Sequence, residues 1–130
     1  MSNENKALVY RVHKELNNGN VGIFDEAFAP GYVAHVGTDI NAAELKARFG
    51  RIAKAFPDVQ YTVDNVIAEG DMLAFHRTVT GTQRGEFMGV PATGKKLKWI
   101  GLVMSRCEGG KIVEEWGLGN LPQVVRDAAA

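Results

Sequence analysis

Few residues in this chain could do chemistry, and most familiar catalytic arrangements fail on spacing. His13, His35 and His76 stand on three different segments, and none has a metal-ligand neighbour at motif spacing. No metal site is expected. The serines Ser2 and Ser105 lie outside any nucleophile-elbow sequence. The single cysteine, Cys107, follows Arg106 at a strand end, where a passive thiol is expected. Gly89-Val90-Pro91-Ala92-Thr93-Gly94-Lys95 matches the opening of a phosphate-binding P-loop, but Lys96 stands where Ser or Thr would hold magnesium. An alternating strand follows instead of a helix, so no helix N-terminus gathers backbone N–H groups on a phosphate. This stretch reads as a loop between strands.

Acid–base or binding chemistry inside a pocket remains. Arg77 shares the strand face of Leu73, Phe75 and Val79, which points it toward the core. An unpaired buried charge costs on the order of several kcal/mol. Arg77 therefore needs a carboxylate, a ligand, or a route out at the sheet edge. In Ile112-Val113-Glu114-Glu115-Trp116-Gly117-Leu118 one glutamate must face each side. Apolar counting groups Ile112, Trp116 and Leu118 with Glu114, and leaves Val113, Glu115 and Gly117 opposite. Periodicity alone leaves open which glutamate lines a pocket. His35 closes an apolar segment beside turn residues, where a neutral imidazole can bond a ligand or the backbone.

The elements that must position these residues follow from periodicity. Leu8, Val9, Val12 and Leu16 recur at helical spacing, and Asn17-Asn18-Gly19-Asn20 stops that helix. Ile23, Phe24, Ala27 and Phe28 make a short second helix that ends before Pro30-Gly31. Tyr32 to Val36 is a brief extended segment closed by Gly37. Asn41 caps a third helix, with Glu44 as its capping-box partner and Leu45, Phe49, Ile52, Ala53 and Phe56 as its apolar stripe. Pro57 ends it. The period then switches to two: Val59, Tyr61, Val63 and Ile67 on one strand; Leu73, Phe75 and Val79 on the next. Strands over 97–106 and 111–118 flank the turn Glu108-Gly109-Gly110. Helices followed by meandering strands indicate α+β with a mostly antiparallel sheet. Trp99 to Met104 is apolar on both faces, so something should cover both sides, and a second copy of the chain is the simplest outer cover.

At 130 residues the chain makes one domain, 1–130. Lysine plus arginine equal aspartate plus glutamate at 15 each, which gives no net field to draw nucleic acid or an anionic membrane. The start is polar, without a signal-like apolar stretch, and no run approaches the roughly 20 apolar residues of a membrane span. With one cysteine no internal disulfide forms, which agrees with a cytoplasmic location.

The order of elements and four motifs resemble the SnoaL-like polyketide cyclases of the nuclear transport factor 2-like superfamily. The motifs are Ala55-Phe56-Pro57-Asp58, Ala68-Glu69-Gly70-Asp71, the stretch from Gly81 to Lys95, and Gly109 to Trp116. The resemblance implies a cone: a strongly bent, mixed but mostly antiparallel sheet wrapped by three N-terminal helices around a deep pocket, with a homodimer across the outer sheet face. It implies ring closure by intramolecular aldol condensation without cofactor or metal, and a catalytic aspartate after the tryptophan of the last strand. This sequence has Gly117 at that position, Gly101 and Val103 at polar positions of the facing strand, and Glu115 in place of a histidine. By that resemblance the standard cyclase apparatus is absent.

Glu115 falls on what the resemblance marks as the pocket face, and Arg77 falls where the related epoxide hydrolase has an arginine. The expected site is thus Glu115 as acid/base, with Arg77 and His35 orienting substrate, and Tyr32, Phe49, Trp99, Val103 and Gly117 lining the pocket. The ligand expected is a hydrophobic, oxygenated small molecule, and the activity that of a cofactor-independent isomerase, cyclase or hydrolase. The alternatives are a non-catalytic ligand-binding protein and a partner-binding module with a vestigial pocket.

Overall fold

The apolar stripe of Leu8, Val9 and Val12 forms α1 (Ser2–Asn17) in a computed structural model that describes residues 2–130. Gly19, at φ +74°, turns the chain out of that helix in a conformation that favours glycine. α2 (Ile23–Ala27) buries Ile23, Phe24 and Ala27, and stops one residue earlier than periodicity suggests. Phe28 already belongs to β1 (Phe28–His35), which runs through Ala29-Pro30-Gly31 and is longer than the segment expected from sequence. Gly37, at φ +93°, then permits a tight return into β2 (Asp39–Asn41).

In α3 (Ala42–Ala55) the cap reads as expected: Asn41 Oδ1 accepts from the Glu44 backbone N–H at 2.9 Å. The capping-box return expected of Glu44 is not made: its carboxylate turns instead to Arg51 at 3.1 Å. Phe56 closes the helix with its N–H on the Ile52 carbonyl at 2.8 Å.

The strands β3 (Gln60–Glu69), β4 (Met72–Thr82), β5 (Lys96–Glu108) and β6 (Lys111–Gly119) complete a six-stranded sheet of order β2-β1-β6-β5-β4-β3. Only β1 and β6 run parallel, so the sheet is mixed, mostly antiparallel and unclosed, with the helices packed on it. This is the α+β class expected from the pattern. The three N-terminal helices are those expected, and among the described residues a fourth, α4 (Leu121–Ala129), follows the last strand, with Pro122 in its first turn, and buries Leu121 and Val125 against β5. Its nine residues span too few turns for a periodic stripe to stand out.

Two irregularities in the ladder move side chains from one face to the other. Register shifts between Val63 and Asn65, so Val66 and Ala68 turn inward while Ile67 points out, 71% exposed. Between β5 and β6, Arg106 pairs with Glu114 and Cys107 with Ile112, leaving Val113 as the extra residue. Ile112 is therefore buried on the same side as Glu115, not with Glu114, Trp116 and Leu118. Simple alternation fails at both points because a bulge consumes a residue without advancing the pairing.

The helix-covered side of the sheet holds two apolar clusters. One gathers α1, α2, β1 and the ends of β4 to β6 around Val9, Ile23, Phe28 and Leu73. The other gathers Phe56, Val79, Leu97 and Trp99 beneath α4. The P-loop-like stretch forms the connection between β4 and β5. It is tied down by fully buried Gln83, whose amide donates to the carbonyls of Gly85, Val90 and Pro91 and whose oxygen accepts from Thr93.

Candidate functional site

The register of β6 fixes the centre of the site. Glu115 pairs with Ser105 on β5 and Ala34 on β1, and its side chain enters a cavity of about 70 Å³ among α1, α2, α3 and the inner sheet face. Two hydroxyls hold its carboxylate. Tyr32, two residues before Ala34 and on the same face, donates to Oε1 at 2.7 Å, and Ser105 donates to Oε2. Burial pushes the Glu115 carboxyl above its ordinary value, against the opposing effects of the Ser105 and Tyr32 hydrogen bonds and the Arg77 charge. Burial, with the Glu115 charge, also drives the Tyr32 phenol well above its usual range, so it stays a protonated donor.

Arg77 lines the same cavity from β4. Its guanidinium carbon sits 5.4 Å from the Phe49 ring centre and 5.9 Å from that of Tyr61, within cation–π reach. Nη1 donates to His13 Nε2 at 3.1 Å. Opposite Arg77 on β5 stands Gly101, where a Cβ would come within 3.2 Å of Arg77 Nε. The bare glycine leaves the space in which the guanidinium lies. Among the described residues Arg77 has no carboxylate at ion-pair distance, and the rest of its guanidinium donates to no protein group. Burial lowers its pKa, but guanidinium remains charged at any working pH.

His13 completes the polar set. Its Nδ1 lies 2.7 Å from the Val9 carbonyl, and the ring meets Phe75 edge-on at 5.4 Å. Burial, then the Arg77 charge, pull its pKa down to about 4, so the ring is neutral. Since Nε2 accepts from Arg77, the single proton sits on Nδ1 and is donated to Val9.

Of the residues expected from sequence, Glu115, Arg77, Tyr32, Phe49 and Val103 meet around this cavity. His35 does not. It follows inward Ala34 and so points to the other face of the sheet, where it stacks on Trp116 at 5.4 Å and bonds Asp39 and Glu114, each at 2.7 Å. Trp99 lies in the second cluster, 4.8 Å from Phe56, and takes no part in the cavity wall. Gly117 faces inward beside Glu115, but Val36 covers it, with its Cγ1 at 3.6 Å from where a Cβ would be. Two polar residues of the site escaped the sequence reading. His13 continues the buried spacing of Val9, Val12 and Leu16, and Ser105 has the inward parity of Val103; both signals were present. Ser105 acts as a donor to Glu115, and the Ser2 side chain lies outside the described residues.

Comparison with known proteins agrees with the architecture. The family model for SnoaL-like polyketide cyclases matches residues 7–128. AclR from Streptomyces galilaeus, provisionally described as a hydroxylase, superposes with a TM-score of 0.86 at 32% identity, over 97% of this chain and 96% of that one. Wild-type IdmH from Streptomyces antibioticus, provisionally described as a polyketide cyclase, gives 0.84 at 27% identity, over 95% and 96%. A SnoaL-like protein of Jannaschia sp. CCS1 shares the fold with a TM-score of 0.87 at 23% identity, over 98% and 93%. No curated protein matches the chain. Among the described residues no helix is long and apolar enough to cross a membrane.

Proposed function

The chain belongs to the SnoaL-like polyketide cyclase family, and on that premise we propose that it is a cofactor-independent enzyme of the cyclase, isomerase or hydrolase type. Its substrate is a hydrophobic, oxygenated small molecule. The observation that carries this reading is the meeting of Glu115 and Arg77 in one apolar cavity, each with capacity left for a ligand. Tyr32 and Ser105 take one lone pair on each Glu115 oxygen; the remaining lone pairs are free to receive a proton. Removal of a proton from a carbon next to a carbonyl builds negative charge on the carbonyl oxygen. The unpaired guanidinium N–H groups of Arg77 are suited to stabilise that charge, and the cavity's low polarity strengthens the interaction. Glu115 then returns the proton as a general acid. Its raised pKa brings it closer to the neutral range where such exchange is efficient.

The resemblance implies a catalytic aspartate where this sequence has Gly117, and glycine can move no proton. In this reading the role has passed to Glu115, two residues earlier on the same strand face. The free space of about 70 Å³ takes the reacting part of a ligand; a polycyclic skeleton requires wall side chains such as Leu45 and Val36 to move aside. The protein acts in the cytoplasm as a homodimer joined through the outer sheet face.

Turnover of a panel of enolisable 1,3-diketones and terpenoid epoxides tests the assignment. Glu115→Gln keeps the shape and removes the proton acceptor, and is expected to lower kcat by about 10²–10⁴-fold. Unchanged turnover in that variant would sink the assignment. The glycine at 117 also favours a second reading, a ligand-binding protein without turnover. Ligand affinity retained in both wild type and Glu115→Gln, with no conversion by either, would identify it.

A further inference from the structure

His13 is the one polar group of the cavity for which the acid–base reading has no use. It is 5% exposed on a helix, its ring is enclosed by Phe75 and Tyr61, and both nitrogens are engaged. The Nδ1 proton is held by the Val9 carbonyl, and Nε2 accepts from Arg77 Nη1. We infer that His13 is a positioning residue for Arg77: it fixes the guanidinium over Phe49 and Tyr61, so that the remaining N–H groups present a preformed site for an anionic oxygen of the ligand. The inference deepens the proposed function, because it rests on a ligand entering that cavity.

The chemistry explains why a neutral histidine suits this place. A carboxylate partner would neutralise Arg77 and compete with the ligand's oxygen for the same donors. A neutral acceptor orients the guanidinium and leaves its charge uncompensated. The arrangement works only in one protonation state. A proton on Nε2 would set donor against donor at 3.1 Å and cation against cation. The titratable groups facing His13 are Arg77 from β4 and Tyr61 from β3, with Tyr32 from β1 and Glu115 from β6 across the cavity. The carboxylate of Glu115 already accepts from Tyr32 and Ser105, so it does not serve His13. From α2 and α3, Phe24 and Phe49 line the cavity and bring no charge.

Nitrogen-15 NMR of the full chain tests this directly, with propionate and its neutral isostere propionamide as probes in a buffer free of carboxylates. In the wild type His13 is expected with its proton on Nδ1 and no charge down to below pH 5. Slow rotation of the Arg77 Nη groups is expected, together with a preference for propionate. His13→Phe keeps the ring and removes the acceptor. The expected result is faster Arg77 rotation and a fall of about tenfold in propionate affinity, as for loss of a hydrogen bond to a charged group. Propionamide affinity should be unchanged, and His13→Gln, which restores an acceptor, should recover both signals. If His13→Phe does not fold, Arg77→Met decides: His13 must then titrate at higher pH than in the wild type.

An Nε2-protonated tautomer, an imidazolium at pH 6, or a His13 titration unmoved by Arg77→Met overturns the inference. So does a wild type that fails to prefer propionate, or a His13→Phe protein that keeps the preference. These outcomes are separable from the acid–base assignment. Unchanged turnover in Glu115→Gln removes that assignment and leaves the His13 measurements standing. An inactive Glu115→Gln protein without propionate preference removes this inference alone.

Discussion

Glu115 sits in competition between its surroundings and its partners. The apolar cavity disfavours the carboxylate, while the Ser105 and Tyr32 hydroxyls and the Arg77 charge favour it; burial prevails. Removing a favourable partner must tip the balance further. Ser105→Ala is therefore expected to raise the Glu115 pKa beyond that of the wild type, as is Tyr32→Phe. The measurement is carbon-13 titration of the Glu115 carboxyl, and a fall in either variant would refute this account. Stability follows with a definite sign. The folded state holds its Glu115 proton to higher pH than the unfolded chain, whose carboxyl titrates near 4.5. The unfolded state is thus favoured as pH rises from that value through the folded-state pKa. Glu115→Gln, which carries no charge, should melt at a higher temperature than wild type at pH 7–8, and the gap should close below about pH 4.5. Thermal melts across that range check it. The variant that loses chemistry is expected to gain stability, as befits a buried carboxyl kept for function.

At the scale of elements, the short edge strand β2 pairs with β1 over Asp39–Asn41, and one β1 side chain braces it further. His35 receives carboxylates on both ring nitrogens, Asp39 of β2 and Glu114 of β6, and lies on Trp116, so it ties three strands together. The hydrogen bonds His35 donates to Glu114 and Asp39 raise its pKa, and the one it donates to Glu114 lowers that of the carboxyl. A raised histidine stabilises fully below its unfolded value of about 6.5 and loses that contribution as pH rises through its folded pKa. A lowered glutamate stabilises above about 4.5 and loses it as pH falls. Amide exchange in β2 should accordingly be slowest between about pH 5 and 6 after correction for the intrinsic rate. His35→Gln should flatten that profile; a wild-type profile already flat would refute the clamp. The same elements show which features the sequence could convey. The α3 cap and most of the stripe, all but exposed Ala53, were legible because both are local, set within a turn or two of the chain. Ile67 and Ile112 were assigned to the wrong face because a bulge separates each from the rest of its strand, and bulges are set by the partner strand rather than by a strand's own residues. His35 was expected in the pocket because its place depended on the parity of β1 beside β6. The site joins Tyr32 to Glu115 across 83 positions and His13 to Arg77 across 64, so its polar members could be nominated singly but not assembled.

For the whole molecule the unexplained feature is the outer face of the sheet. Ile100, Leu102 and Met104 of β5 point there, beside Leu118 of β6 and Ile67 of β3; Leu118 is 76% and Leu102 55% exposed. Lys96 and Lys98 extend the row at one end, and Arg106 with Glu114 at the other. An apolar strip rimmed by charge is the pattern of an interface rather than of a wetted surface. Burying a large aliphatic side chain contributes about 1.5–3 kcal/mol. These five side chains are 41–76% exposed, and a two-fold axis buries each of them twice, a gain of the same order as the roughly 4–15 kcal/mol cost of association. The zero net charge of the chain adds no long-range repulsion. A dimer through this face is therefore expected at micromolar concentration, and sedimentation of the wild type as a monomer would count directly against it. Leu102→Asp places a charge at the centre of the strip, where an isolated buried charge finds no partner. It should weaken association by 100-fold or more while leaving the fold intact, since Leu102 points away from the cavity and alternates with Gly101 and Val103. The two faces of β5 then give a sharper test than association alone. Because Arg77, His13 and Glu115 all come from one chain, the monomeric variant should turn over substrate at the wild-type rate. A rate that falls in step with dissociation would mean that the second copy shapes the cavity through the sheet between them.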